Sequence, residues 1–289
     1  DLVEVGMSGA LEGEVTVGGW LESFSVEGSA VLTGGSFGMN RVDSMAATFR
    51  AEQLPSMDGA MALELDARGL RLEDRSFDEV HGNLTMEERA GGASFEIVRS
   101  LGERLTADGT FALDRPGGGA VALAQARLEL DSLAWETTGP SRIEWNATSV
   151  RLQGVELRRG GDDPMHVGAE GTLAWEGESD LEVEVEGLHL GRAIRLFQPE
   201  DLELEGTVDM ELSVRGPSTR PDIDAQVRWL EPRYGDVTLD SLSGSLRYRE
   251  RSAELDLAAW DGGHRAFTTQ GVVPVNLALG TEVDRTVDR

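Results

Sequence analysis

Leu202-Glu-Leu204-Glu-Gly206-Thr-Val208-Asp-Met210-Glu-Leu212-Ser-Val214-Arg-Gly216 places an apolar residue at every second position apart from the two glycines. Period two is the signature of a β-strand with one apolar and one wet face, because successive side chains point to opposite sides of a pleated chain. Such a strand has to cover its apolar side with something, and this requirement governs the rest of the chain. After a turn at Gly216-Pro217-Ser218-Thr219-Arg220-Pro221, the alternation resumes through Ile223, Ala225, Val227 and Trp229. It closes on Gly271-Val-Val-Pro274-Val-Asn-Leu277-Ala-Leu279.

The composition fits many short, thinly apolar segments. Over 289 residues, 39% are hydrophobic, 6% are aromatic and 36 are glycine, which suits extended sheet better than a helical globule. The 53 acidic and 26 basic residues leave a formal net charge of -27, and every basic residue is arginine. Nucleic acid is therefore not expected as a partner, since phosphate binding needs a basic patch. With no cysteine, disulfides and thiolate metal sites are excluded. The first residues lack the basic start and apolar run of a signal peptide, and no stretch reaches the length of a membrane helix. Both ends read as mid-strand sequence, as in a fragment of something longer.

The chain repeats itself loosely. Phe37-Gly38-Met-Asn-Arg-Val42-Asp43-Ser44-Met45 matches Tyr234-Gly235-Asp-Val-Thr-Leu239-Asp240-Ser241-Leu242. The sequence Gly82-Asn-Leu84-Thr-Met86 likewise matches Gly244-Ser-Leu246-Arg-Tyr248. A four-residue block recurs around Asp43, Asp78, Asp131 and Asp240, with polar residues between apolar ones at i and i+3. In an uninterrupted strand that spacing would throw the second apolar series onto the wrong face. A bulge or corner at the block restores it. A two-residue hairpin turn is the alternative, although Asp-Ser and Asp-Glu are poor residues for one.

Further alternating strands are expected at Ala120 to Leu130, Ile143 to Leu157 and Leu181-Glu-Val183-Glu-Val185-Glu, with the glutamates on a solvated face. Arg41 to Leu54 is free of Gly and Pro, but its alignment with 239–248 argues for strand. Only Leu188 to Gln198 has helical spacing, through Leu190, Ile194 and Phe197 before Pro199. The texture divides at 187/188, into looser copies over 1–187 and the best-preserved ones over 188–289. The fold class expected is all-β: a long, curved, mostly antiparallel sheet with at most one short helix near 188–198.

No motif nominates catalysis or a cofactor. The four histidines lack paired spacing. Asp162-Asp163 and Asp222-Ile-Asp224 lack the ligand series of a calcium loop, Gly117 to Gly119 lacks the Lys-Ser/Thr of a phosphate loop, and there is no nucleophile elbow. No enzyme, metal or cofactor is expected.

The strings Leu204-Glu-Gly206-Thr-Val208, Val214-Arg-Gly216-Pro-Ser-Thr-Arg-Pro221, Leu239-Asp-Ser-Leu242-Ser-Gly244-Ser-Leu246 and Gly271-Val-Val-Pro274-Val-Asn-Leu277 together resemble the repeat region of the TamB (translocation and assembly module) family and its AsmA-like relatives. The likeness is best over Leu188 to Leu279. It implies an open, taco-like or solenoid-like groove in the periplasm that carries phospholipid or other acyl chains during outer-membrane biogenesis. It also implies an inner-membrane anchor and a barrel partner docked through a C-terminal region, neither of which lies in this sequence. On this reading the groove is lined by Leu181, Val183, Val185, Leu204, Val208, Met210, Leu212, Val214, Leu239 and Leu246. The alternative is a structural or adhesive β-sandwich or solenoid of an envelope or surface protein, in which the same alternation closes on itself.

Overall fold

The computed structural model describes residues 7–56, 58–73, 75–100, 103–114, 117–130, 133–161, 164–191 and 204–280. It is all-β and falls into two units, Asp1–Pro140 and Ser141–Arg289. The texture boundary at 187/188 sits near the end of a strand inside the second unit. Residues 190 and 191 are helical, and the remainder of the expected helix lies outside the described residues.

The first unit runs through β1 (Met7–Trp20), β2 (Ser23–Phe37), β3 (Asn40–Leu54), β4 (Met61–Leu72), β5 (Arg75–Glu87), β6 (Ala90–Ser100), β7 (Glu103–Leu113), β8 (Gly119–Leu130) and β9 (Leu133–Thr137). Each strand pairs antiparallel with the next, in a meander. The second unit follows the same plan. Its strands are β10 (Ser141–Trp145), β11 (Ser149–Arg159), β12 (Met165–Ala174), β13 (Glu178–His189), β14 (Leu204–Pro217), β15 (Asp222–Tyr234), β16 (Val237–Thr238), β17 (Ser241–Arg249), β18 (Ser252–Asp261) and β19 (His264–Pro274). Here β16 and β17 both pair with β15. The segment 40–54 is strand, as its alignment requires.

Register keeps each strand's apolar residues on one face. In the first unit Leu11, Leu32, Met45, Ala67, Val80 and Ile97 are successive partners from β1 to β6. Leu105, Leu128 and Trp135 continue the row through β9.

The blocks at Asp43, Asp78 and Asp240 bend or interrupt strands, whereas at the Asp131 block β8 ends at Leu130 and β9 begins at Leu133 directly across from it, the pairing of the two-residue hairpin that was the alternative. Asp43 stands mid-strand opposite Gly34 of β2 and Gly69 of β4, and Gly69 in turn faces Asp78 of β5. Gly69 has φ +60, and a Cβ there would strike the Asp43 carboxylate, so only glycine fits beside it. Beyond the bend Val42 stands over Gly35 together with Leu32, on the same apolar face as Met45, which is the parity correction the sequence requires. Asp240 marks the break between β16 and β17, opposite Glu231 at φ +49. Its carboxylate accepts the Gly263 N–H at 2.8 Å. Asp131 lies outside the described residues.

The two internal repeats extend into the turns. Gly38 and Gly235 open matched two-residue hairpins with φ +60 and +56. Glu88-Arg89 and Glu250-Arg251 form a second matched pair, all four residues at positive φ. Those four side chains occupy a backbone region that disfavours L-residues. Replacing Glu250→Asn with Arg251→Gly supplies the residues this turn prefers. Chemical denaturation should then show a gain of about 1 kcal/mol, the relieved strain being partly offset by a freer unfolded chain.

Candidate functional site

In the second unit the apolar residues of consecutive strands align into rows running across the strands. Leu181, Val214, Ile223, Tyr248 and Ala253 form the first row, and Val183, Leu212, Ala225, Leu246 and Leu255 the second. Val185, Met210, Val227, Gly244 and Leu257 form the third, and Val208, Trp229, Leu242, Ala259 and Phe267 the fourth. Of the ten residues expected to line a groove, eight stand on this one face: Leu181, Val183, Val185, Val208, Met210, Leu212, Val214 and Leu246. Leu204 is separated from them by the bulge between Glu205 and Thr207, where it pairs with Tyr234. Leu239 lies in the break before β17, its N–H donating to Pro232 O at 3.1 Å. The sequence expectation names no residue of β15 or β18 for the groove, although Ala225, Val227 and Trp229 carry the same alternation, because which strand lies beside which follows only from pairing.

The rows are covered unevenly. In the first row Leu181, Val214, Tyr248 and Ala253 are buried, Tyr248 to 1% exposure. Every member of the second row is only half-buried, although all of its side chains except Ala225 are Val or Leu. In a sandwich the facing sheet would bury such residues to core levels.

At the first-row end of the strands lies an extended segment that the sequence reads as more strand. β19 stops at Pro274, and residues 275–279 cross the ends of the neighbouring strands instead. Val275 N–H donates to Arg251 O at 3.0 Å, Leu277 N–H to Tyr248 Oη at 3.0 Å and Leu279 N–H to Ser218 O at 2.8 Å. Pro221 and Ser218 are buried at the same end.

The opposite face is acidic and carries two open depressions of about 510 and 690 Å³. Glu170, Glu182, Glu184, Glu211 and Arg215 border the first; Asp209, Arg228, Asp256 and Arg265 border the second. Glu184 stands directly across from Glu211, and Glu170 from Glu182. Arginines interleave with the acids: Arg215 pairs with Glu182, Arg233 with Glu205 at 2.9 Å and Arg247 with Glu254 at 3.1 Å. Among the described residues no group of histidine and carboxylate side chains could hold a metal ion, and no helix is long and apolar enough to cross a membrane.

In the first unit His81 lies between Asp66 and Glu79. The hydrogen bond to Asp66 raises its pKa above the ordinary histidine value, loss of hydration opposes it, and Glu79 adds to the rise.

Comparison with family models, curated proteins and solved structures finds no match to this chain.

Two outcomes follow for the polar faces. The raised His81 pKa means its ion pairs contribute below the usual histidine range and are lost as pH rises through the folded pKa. An NMR titration should find the His81 midpoint above about 6.5, and Asp66→Asn should lower it toward that value. Glu184→Gln removes a like-charge cross-strand pair and should stabilise the fold by about 0.2–1 kcal/mol in a denaturant titration at low salt, with the gain shrinking as salt is added.

Proposed function

We propose that this chain is a segment of a lipid carrier of the bacterial envelope. Its apolar face shields acyl chains of phospholipid or a similar lipid between two membranes. One observation carries this reading: the second row, Val183, Leu212, Ala225, Leu246 and Leu255, crosses five strands as an unbroken, half-open apolar line. At about 4.8 Å per strand it runs for about 19 Å. Burying methylenes at about 0.8 kcal/mol each makes the water barrier for a sixteen-carbon chain about 12 kcal/mol. A continuous apolar line lowers that barrier. A row of Val, Leu and Ala has no polar anchor, so a chain can slide along it.

The likeness to the TamB repeat region supports the same reading and carries its location, the periplasm, together with a role in outer-membrane biogenesis. An inner-membrane anchor and an outer-membrane barrel partner belong to that proposal too. The acidic opposite face suits an aqueous compartment, where it keeps a one-sided sheet from associating through its apolar side. A closed structural sandwich is the less favoured reading, because it leaves the half-exposure of the second row unaccounted for.

Delipidated protein should take up a fluorescent phospholipid. Met210→Asp or Leu212→Asp should reduce uptake at least tenfold while circular dichroism still reports a folded sheet. A protein that binds no acyl chain, or binds it equally well with a charge at both positions, would overturn the proposal.

A further inference from the structure

The segment 275–279 crosses the strands at the end where the first row lies, beside the second row assigned above to an acyl chain. It leaves β19 at Pro274, passes Arg251 at the β17/β18 turn and Tyr248 of β17, and reaches Ser218 at the β14/β15 turn. An extended, largely apolar strap thus runs across the strands at the first row, where Tyr248 and Ala253 are buried, while the second row stays half-buried. It lies outside the continuous ladder that holds every neighbouring strand: two main-chain bonds and one bond to the Tyr248 phenol oxygen tie it to other strands, Asn276 Oδ1 accepts the Ala278 N–H at 3.2 Å, and Ala278 is buried. Such bonds are individually worth little net, because water replaces them when they open.

We infer that residues 275–279 are a built-in occupant of the track, a strap that an arriving acyl chain displaces from the first row. The inference rests on the acyl-chain reading of this face and adds a regulated element to it. With the strap down, the track is limited to the rows beyond Tyr248. With the strap lifted, Leu181, Val214, Ile223 and Tyr248 join the contact surface. Tyr248 acts as the latch, since its Oη holds the middle of the strap through Leu277 N–H and its ring fills the space beneath.

The chain has no cysteine, so a single engineered disulfide can test this. The Leu279 N–H to Ser218 O bond brings the two backbones as close as a ladder pair, within the span of a disulfide. Ser218→Cys with Leu279→Cys, oxidised, should take up a fluorescent fatty acid at least tenfold more weakly than the same protein reduced. Tyr248→Phe, which removes only the latch oxygen, should strengthen uptake by about fivefold. In the wild-type chain, hydrogen exchange at Leu277 and Leu279 should accelerate when the fatty acid is added. If oxidised and reduced proteins bind equally and the strap amides stay protected in the loaded protein, the strap is fixed and the inference falls while the acyl-chain reading stands. If neither form, nor wild type, nor Tyr248→Phe binds the fatty acid, the acyl-chain reading falls and the strap inference with it.

Discussion

The arrangement depends on parity. In a sheet with one apolar face, a shift of one residue in any strand sends its whole apolar series to the wet side. The rows from Leu11 to Trp135 in the first unit, and from Leu181 to Ala253 in the second, survive because each irregularity in one strand is matched by a device in its neighbour. Asp43 and Asp78 face Gly69 from either side, and the Gly187 N–H donates to Asp209 Oδ1 at 2.8 Å. The Gly154 N–H donates to Glu170 Oε2 at 2.6 Å, and the Gly263 N–H to Asp240 Oδ2 at 2.8 Å. In the Gly187 and Gly154 cases a carboxylate on one strand satisfies a backbone N–H that leaves the regular ladder on its neighbour, which is how a bulge avoids an unmet donor, and in the Gly263 case a carboxylate in the break before β17 satisfies a turn N–H. The many acids are thus more than solvating charge: some of them are joints.

What holds such a sheet is its ladder and the packing of neighbouring side chains along each row. The arginine–carboxylate pairs across the polar face are exposed, and each contributes at most about 1 kcal/mol. They do offset the repulsion that pairs such as Glu184 and Glu211 introduce. The edge strands carry the cost of a one-layer design, with Leu11 at 70%, Val15 at 58% and Val272 at 66% exposure. Long strands with unpaired backbone and apolar side chains are competent to pair further.

Strand identity, the one-sided pattern and the bends at Asp43 and Asp78 were legible in the sequence, because period two and its phase slips are local signals, but the same four-residue pattern from Leu130 to Leu133 joins two directly paired strands, a difference that spacing alone does not carry. The Asp43 and Asp78 bends could be located from the spacing of apolar residues alone. The turns at Glu88-Arg89 and Glu250-Arg251 were not legible, since their residues are atypical of positive φ and only their shared repeat position relates them. The strap at 275–279 was read as strand because Val275, Leu277 and Leu279 alternate like one. Its departure is set by bonds to Tyr248 and Ser218, which are distant in sequence. Leu204 and Leu239 were assigned to the apolar line by parity, which cannot count past a bulge. Which face bears concavities was likewise beyond pattern reading: both depressions described here open on the acidic side.

The central claim is that lipid lies on the apolar face and not on the acidic one, and adjacent positions on one strand separate the two. A photo-crosslinking residue at Leu212 faces the apolar row, and one at Glu211 faces the acidic side with Glu184 across from it. In cells or with vesicle-loaded protein, crosslinking at Leu212 should yield covalent lipid adducts by mass spectrometry, and crosslinking at Glu211 should yield none. Equal adducts at both positions, or adducts at Glu211 alone, would contradict the account.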